Sequence, residues 1–111
     1  MEKRTVRVVV DRALGSAHPL YPQMIYPVNY GYVPGVMAPD GEEQDAYVLG
    51  LERPVSEFTG LLFAVVHRLD DIEDKWVVVP EGIAFSEEEI RRAVAFQEQY
   101  FDTRVELVDG E

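Results

Sequence analysis

Apolar and β-branched residues recur in short runs along this chain, and glycine, proline or charged residues separate one run from the next. Runs of this length and composition predict buried strands. Several short strands joined by Gly- and Pro-rich turns are typical of a small closed or partly closed barrel. The predicted strands are Thr5–Val10, Ala46–Leu51, Leu61–Arg68 and Lys75–Pro80, with one more at Arg104–Val108.

One helix is predicted after the turn at Pro80–Gly82. Ser86, followed three residues later by Glu89, forms a capping box, and acidic residues in the first turn complement the positive end of the helix dipole. We expect this C-terminal helix to pack on the barrel, so the fold class is mainly β (α+β). The predicted buried stripe of the helix consists of Ile90, Ala93, Val94, Tyr100 and Phe101.

The stretch from Tyr26 to Leu49 combines turn formers, aromatic residues and carboxylates, and it is predicted to be bent and rigid. Asp40, Glu42 and Asp45 stand directly before the apolar run that starts at Ala46. Carboxylate oxygens held together in this way suit hard divalent cations. Three spaced acids in a turn are by themselves a weak signal, since such turns are commonly just solvated loops.

A second acidic group lies in the loop Leu69–Asp74, which contains Asp70, Asp71, Glu73 and Asp74. If the two groups converge on one rim of the barrel, their mutual repulsion favours a bound cation. Two divalent ions would lower the pKa of a shared water and neutralise the charge on a leaving phosphate. An exposed charged loop explains this second group about as well.

Composition narrows the function classes. At 111 residues the chain has room for one domain, spanning residues 1–111. Asp and Glu number 21 against 10 Lys and Arg, a net charge of -11, which argues against nucleic-acid and membrane partners. Without Cys there are no disulfides, thiol nucleophiles or thiolate metal sites. The chain shows no apolar run of membrane length and no signal-peptide pattern, so we expect a cytoplasmic protein.

The segment NYGYVPG, followed by DGEEQD and an apolar strand, resembles the signature region of the soluble (family I) inorganic pyrophosphatases. RLDDIEDKWVVVP and AFQEQYFD are similar, more weakly, to the second acidic loop and the C-terminal helix of that family. The resemblance implies a short, divergent member with a five-stranded, oligonucleotide-binding-like barrel that forms a homo-oligomer. The implied activity is Mg2+- or Mn2+-dependent hydrolysis of pyrophosphate to two phosphates by direct attack of a metal-bound water.

The resemblance also implies roles for individual residues. It makes Glu42 the acceptor of the proton from the attacking water, although the family usually carries Asp at that position. Asp71 or Glu73 are alternatives in the second acidic loop, where the alignment shifts by a residue. The implied metal ligands are Asp40, Glu42, Asp45, Asp70 and Asp74; the implied phosphate contacts are Lys75, Tyr30 and Tyr100; and Asp11 stands for an early glutamate of the family.

The chain departs from the family in its cations. A hairpin that carries two basic groups is missing before NYGY, and Arg12 or His18 is the candidate substitute. Phe101 stands where the family has a lysine that contacts phosphate. Two alternatives therefore remain open: a weakly active or inactive metal-binding and oligomerisation module, and a hydrolase of a different small phosphorylated substrate.

Five side chains are interpreted more readily without a catalytic role than with one. Tyr26 and Tyr32 are interpreted as core or barrel-mouth aromatics. Arg68, together with His67, is interpreted as a solvated strand end, because it follows the last apolar residue of a strand. His18 is interpreted more readily as a local hydrogen bonder in its loop than as a catalytic group.

Overall fold

The computed structural model describes residues 4–70 and 73–108 of the chain. Short β-branched and aromatic runs form the strands, and the run of good helix formers after Ser86 forms the helix. The elements are β1 (Thr5–Arg12), β2 (Asn29–Met37), β3 (Glu43–Val48), β4 (Glu57–Arg68), β5 (Asp74–Val79), α1 (Glu87–Glu98) and β6 (Thr103–Leu107).

Five of the strands close into a barrel in the order β1-β2-β3-β5-β4, because β4 returns to pair with β1. All neighbours are antiparallel except β3 and β5, which run parallel. Strand β4 is 12 residues long and pairs with β1 through its first half and with β6 through its second half. The prediction of a small five-stranded barrel with one late helix is therefore confirmed.

The alternating side chains of the strands supply two separate apolar clusters. One consists mainly of valines and includes Val8, Val48 and Val78, of which Val48 and Val78 alternate with residues of the other cluster along their strands. The other contains buried tyrosines, Tyr26, Tyr30 and Tyr47 among them, together with the apolar stripe of α1. The helix thus covers an outer face of the barrel, and that face carries aromatic hydroxyls as well as apolar groups.

The helix begins as predicted. The Ser86 hydroxyl accepts from the Glu89 N–H at 3.1 Å, and the Glu89 carboxylate accepts from the Ser86 N–H at 2.7 Å. Ile90 and Val94 are buried, but the prediction that Tyr100 belongs to the buried stripe is wrong, because the helix ends at Glu98 and leaves the Tyr100 side chain 72% exposed. Among the described residues, no helix has the length and apolar character needed to span a membrane.

Strand β2 was not predicted, because its glycines and proline indicate turns. Pairing with β1 on one side and β3 on the other overrides that local preference. The irregular register between Val33 and Met37 accommodates Pro34 and Gly35, and Gly35 has a φ of 82°. The segment is therefore a bent strand, which keeps Tyr30 on the helix-covered face.

Replacing Gly31 by alanine should destabilise the barrel. A Cβ at this position would collide with the Val9 carbonyl oxygen and would lie 2.8 Å from the Val10 Cα, both of them backbone atoms of β1. Separating the two strands should cost about 1–3 kcal/mol, the usual range for overpacking. Urea unfolding followed by circular dichroism measures this, and a Gly31→Ala midpoint equal to that of the wild type would show that β1 shifts freely.

Candidate active site

A buried lysine lies at the centre of the polar groups on the helix-covered face. Tyr30 from β2 and Asp45 from β3 come from paired strands, and Lys75 from β5 lies beside them. The Lys75 Nζ donates to the Asp45 Oδ2 at 2.6 Å and to the Tyr30 hydroxyl at 2.9 Å. Glu73, just before β5, places its Oε1 3.2 Å from the same ammonium. Lys75, Tyr30, Asp45 and Glu73 are called the lysine cluster below.

The environment fixes the protonation states of this cluster. Burial disfavours the Lys75 ammonium, but Tyr30 and Asp45 outweigh that cost and raise the pKa of Lys75 above its ordinary value. Burial also raises the pKa of the Tyr30 phenol, and the nearby Lys75 offsets only part of the increase. At neutral pH the cluster therefore presents a charged ammonium and a neutral phenol, both of which can donate to phosphate oxygens.

A second cation, Arg68, lies next to the cluster and is buried. Its guanidinium binds the Glu98 carboxylate through two hydrogen bonds of 2.9 Å, from Nε and Nη2, and the side chains are 7% and 3% exposed. Its Nη1 donates to the Glu73 Oε1 at 2.8 Å, and its guanidinium carbon lies 3.7 Å from the centre of the Phe101 ring. Arg68 thus ties the end of β4 to the end of α1 and holds Glu73 toward Lys75.

The polar contacts continue along the helix. The Tyr47 hydroxyl donates to the Glu98 Oε2 at 2.6 Å and accepts from the Gln97 amide at 2.8 Å. Burial opposes ionisation of Glu98, but hydrogen bonds from Arg68 and Tyr47 outweigh it and hold the pKa of that carboxyl below its ordinary value. Glu98 is therefore a charged, hydrogen-bonded carboxylate inside the fold.

Of the first acidic motif, the structure brings only Asp45 into the lysine cluster. Asp40 and Glu42 lie in the turn between β2 and β3, which closes through hydrogen bonds between Ala38 and Glu42 and between Gly41 and Ala38. Both side chains are exposed, and the Asp40 Oδ1 accepts from the Glu42 N–H at 3.0 Å. Asp40 thus stabilises its own turn.

In the second acidic loop, strand alternation separates the carboxylates. Glu73 faces Lys75, whereas Asp74 lies on the other side, where its Oδ1 is 3.1 Å from the His67 Nδ1. Asp70 is exposed, and its Oδ2 accepts from the Asp102 N–H at 3.4 Å. Asp71 lies outside the described residues. The structure therefore favours Glu73, the alternative, over Asp74 as the acid that accompanies Lys75.

The remaining candidates lie apart from Lys75. The Arg12 Nη1 donates to the Tyr26 hydroxyl at 2.9 Å, and the Tyr26 hydroxyl reaches the Gln97 amide oxygen at 3.2 Å. His18 and Tyr100 line a neighbouring cleft, and Asp11 is exposed on β1. Of the two aromatics interpreted as structural, Tyr26 is fully buried, which confirms that interpretation, and Tyr32 is half-buried.

No three His, Asp or Glu side chains stand close enough to bind one metal ion within residues 4–70 and 73–108. Two carboxylates do converge, because Asp45 and Glu73 both contact the Lys75 ammonium. Magnesium in proteins is usually bound by one or two carboxylates together with water and substrate phosphates. This donor set fits a magnesium ion that arrives with a phosphate ligand, and it does not fit a closed, all-protein metal site.

The interpretation of Arg68 as a solvated strand end is wrong. Arg68 continues the alternation of buried residues in β4, after Ala64 and Val66, and this period of two places it on the helix-covered face. Glu98 likewise lies on the helical repeat of Ile90 and Val94. A charged residue at a buried position of both patterns is the signal that could have identified this pair.

Comparison with known proteins supports a common origin. The family model described as inorganic pyrophosphatase matches residues 1–99. An inorganic pyrophosphatase of Aeropyrum pernix is 38% identical over 87 residues, which make up 73% of this chain and 45% of that protein. The chain thus spans about half the length of the curated relative it matches.

Solved structures show the same fold at lower identity. The inorganic pyrophosphatase of Ehrlichia chaffeensis matches with a TM-score of 0.75 and 18% identity, covering 99% of this chain and 88% of that one. The enzyme of Helicobacter pylori matches with a TM-score of 0.68 and 20% identity, covering 99% and 87%. The extent of the family match and the identity to the curated relative lead to one conclusion: the chain belongs to the inorganic pyrophosphatase family.

Proposed function

We propose that this protein hydrolyses inorganic pyrophosphate to two phosphates in the presence of magnesium. Membership of the inorganic pyrophosphatase family supports the reaction class. The observation that carries the proposal for this chain is the lysine cluster, in which Lys75 contacts Asp45 and Tyr30 and lies 3.2 Å from Glu73. It combines a phosphate-binding cation with two carboxylates that suit a divalent ion.

The two donors of the cluster would bind and orient the phosphate. Lys75 is charged and already desolvated, so its interaction with a phosphate oxygen is stronger than that of an exposed lysine. The Tyr30 phenol donates a hydrogen bond without adding charge. Because both groups are fixed by packing on β2 and β5, they need little reorganisation as charge develops on the leaving phosphate.

Asp45 and Glu73 would hold a magnesium ion that accompanies the substrate. Such an ion supplies neutralisation of phosphate charge and activation of water. Arg68 keeps the Glu73 carboxylate directed at this position through its 2.8 Å hydrogen bond. Asp40, Glu42, Asp70 and Tyr100 remain proposed members of the site, and Glu42 remains the proposed base, which requires that its exposed turn approach the cluster.

The cellular location, the oligomeric state and the domain organisation are also proposals. Its acidic balance and lack of Cys suit the cytoplasm. A homo-oligomer would cover apolar side chains that the fold leaves exposed, among them Leu20, Met37 and Leu69. We also propose a single domain over residues 1–111, because a chain of 111 residues has room for one hydrophobic core.

Two neighbouring carboxylates offer a direct test of the site. Purified wild type should release phosphate from pyrophosphate only when magnesium is present. Glu73→Gln should lower that rate roughly tenfold or more, because removing one charge next to a bound ion costs on the order of 1–4 kcal/mol, and about 1.4 kcal/mol is a tenfold change. Asp74→Asn is the matched control, and its rate should stay within about twofold of the wild-type rate, since Asp74 faces His67.

A larger loss of rate in Asp74→Asn than in Glu73→Gln would place the metal on the other face of β5 and would overturn the assignment of Glu73. Absence of phosphate release at any magnesium concentration would favour the alternative function, a metal-binding or oligomerisation module. One structural observation favours a protein without catalysis: the Lys75 ammonium lies 2.6 Å from Asp45 and 3.2 Å from Glu73, where it competes with a magnesium ion for the two carboxylates.

A further inference from the structure

An open cleft of about 570 Å³ lies next to the lysine cluster. Arg68 lines the cleft, and the oxygen of Glu73 that binds the Arg68 guanidinium also contacts the Lys75 ammonium. One arginine–carboxylate contact thus links the lining of the cleft to the lysine cluster. Arg68 is a cation on the wall of the cleft, and Lys75 is the next cation along this chain of contacts.

Aromatic rings form the walls of the cleft. On one side, the loop after β1 presents Tyr21, whose ring centre lies 5.1 Å from that of His18, and His18 in turn stacks on the buried Tyr26 with an angle of 10° between the rings. The Leu20 N–H donates to the His18 Nδ1 at 3.0 Å, which holds the imidazole in place. On the other side, Tyr100 and Phe101 follow the end of α1.

Binding of pyrophosphate does not require aromatic walls. Pyrophosphate consists only of phosphorus and oxygen and has no apolar surface to place against aromatic rings. Sites of about 300–1,000 Å³ with mostly aromatic and apolar linings and a few polar groups are typical of organic ligands. Tyr21 is 57% exposed and Tyr100 is 72% exposed, so both rings are accessible to a planar group that enters the cleft.

We propose that the cleft between Tyr21 and Tyr100 binds the planar base of a nucleoside diphosphate, with its diphosphate directed past Arg68 toward Lys75. This inference rests on the proposed function and names its substrate class as an organic phosphoanhydride. The ligand is bound with magnesium, which offsets the excess of carboxylates over cations around Lys75 and Arg68.

The corresponding hydrolysis is balanced without any further reactant. The oxygen of water forms a bond to the terminal phosphorus, and the bond from that phosphorus to the bridging oxygen breaks. The bridging oxygen leaves on the nucleoside monophosphate, inorganic phosphate is the second product, and one proton passes to solvent at neutral pH.

Binding of ADP, measured apart from turnover, tests the inference. In saturation-transfer NMR with magnesium present, the adenine protons of ADP should receive saturation from the wild type. Tyr21→Ala should weaken ADP binding roughly fivefold to a hundredfold, the range for loss of one base–aromatic stack. Tyr21→Phe keeps the ring and should retain the affinity. Leu20→Ala removes a neighbouring exposed apolar side chain and should leave it unchanged.

The outcomes separate this inference from the proposed function. Pyrophosphate hydrolysis by Tyr21→Ala should match that of the wild type, since Tyr21 lies outside the lysine cluster. ADP binding that depends on Tyr21, in a protein that hydrolyses no phosphoanhydride, would uphold the cleft and overturn the proposed function. If the adenine protons of ADP receive no saturation from the wild type, the inference is overturned even if pyrophosphate is hydrolysed. Equal affinity of the wild type and Tyr21→Ala for ADP would also overturn it.

Discussion

Lys75→Met should lower pyrophosphate hydrolysis roughly a hundredfold to a thousandfold, the usual effect of removing one preorganised donor from a site where negative charge develops. Methionine preserves most of the lysine volume but provides neither charge nor hydrogen bonds. The loss should appear in kcat as well as in kcat/KM, because Lys75 is fixed by Asp45 and Tyr30 before substrate arrives. Steady-state phosphate release at saturating magnesium measures both constants.

The appropriate control removes one positive charge elsewhere on the barrel. Arg7 on β1 forms an exposed ion pair with Glu57 at 2.8 Å, and Arg7→Met changes the net charge by the same amount as Lys75→Met. Its kcat should equal that of the wild type. Circular dichroism must show that both variants are folded. A folded Lys75→Met variant that retains its activity within about threefold would mean that Lys75 does not contact the phosphate.

Arg68→Met should lower the free energy of unfolding by about 3–5 kcal/mol, because it leaves the Glu98 carboxylate buried without its cation. The Tyr47 hydroxyl would still donate to Glu98, but one hydrogen bond from an uncharged hydroxyl does not replace a bidentate guanidinium. Urea unfolding monitored by circular dichroism gives the difference. Arg92→Met, which breaks only an exposed ion pair with Glu88, should cost about 0.5 kcal/mol or less.

A double variant separates the value of the pair from the penalty of leaving one partner unpaired. Arg68→Met combined with Glu98→Leu removes both charges, so it should recover a large part of the stability lost by Arg68→Met alone. A double variant as unstable as Arg68→Met would instead assign the loss to packing, including the Arg68 contact with the Phe101 ring. A single Arg68→Met variant with wild-type stability would contradict the burial of this pair.

Four of the five barrel strands were predictable from the sequence because their signals are local. Four of the predicted strands and the predicted fifth overlap observed ones, and the capping box at Ser86 is where it was expected. Strand β2 could not be identified locally, because its pairing with two distant strands outweighs the turn preference of its glycines and proline. The conformation of β2 is set by tertiary contacts, and these cannot be identified from the residues of that segment alone.

The site was predictable only in part, for a geometric reason. Successive residues of a strand point to opposite faces, so an alignment uncertain by one residue exchanges Glu73 for Asp74 and changes which carboxylate accompanies Lys75. Tyr30, Asp45 and Lys75 were anticipated as site residues and do lie together in the structure. Arg68 was misjudged because a charged residue at a strand end usually meets solvent, whereas here α1 covers it.

The shared strand β4 has a consequence for the order in which the chain folds. The barrel closes only when Thr5, the first residue of β1, pairs with Leu61 of β4. Strand β6 can join only after Arg104 is available to pair with His67 of β4. Contacts this distant along the chain slow folding, because loop-closure entropy is lost before the contacts form. During synthesis, β1 can pair with β2 as soon as both have left the ribosome, whereas its other edge stays unpaired until β4 follows.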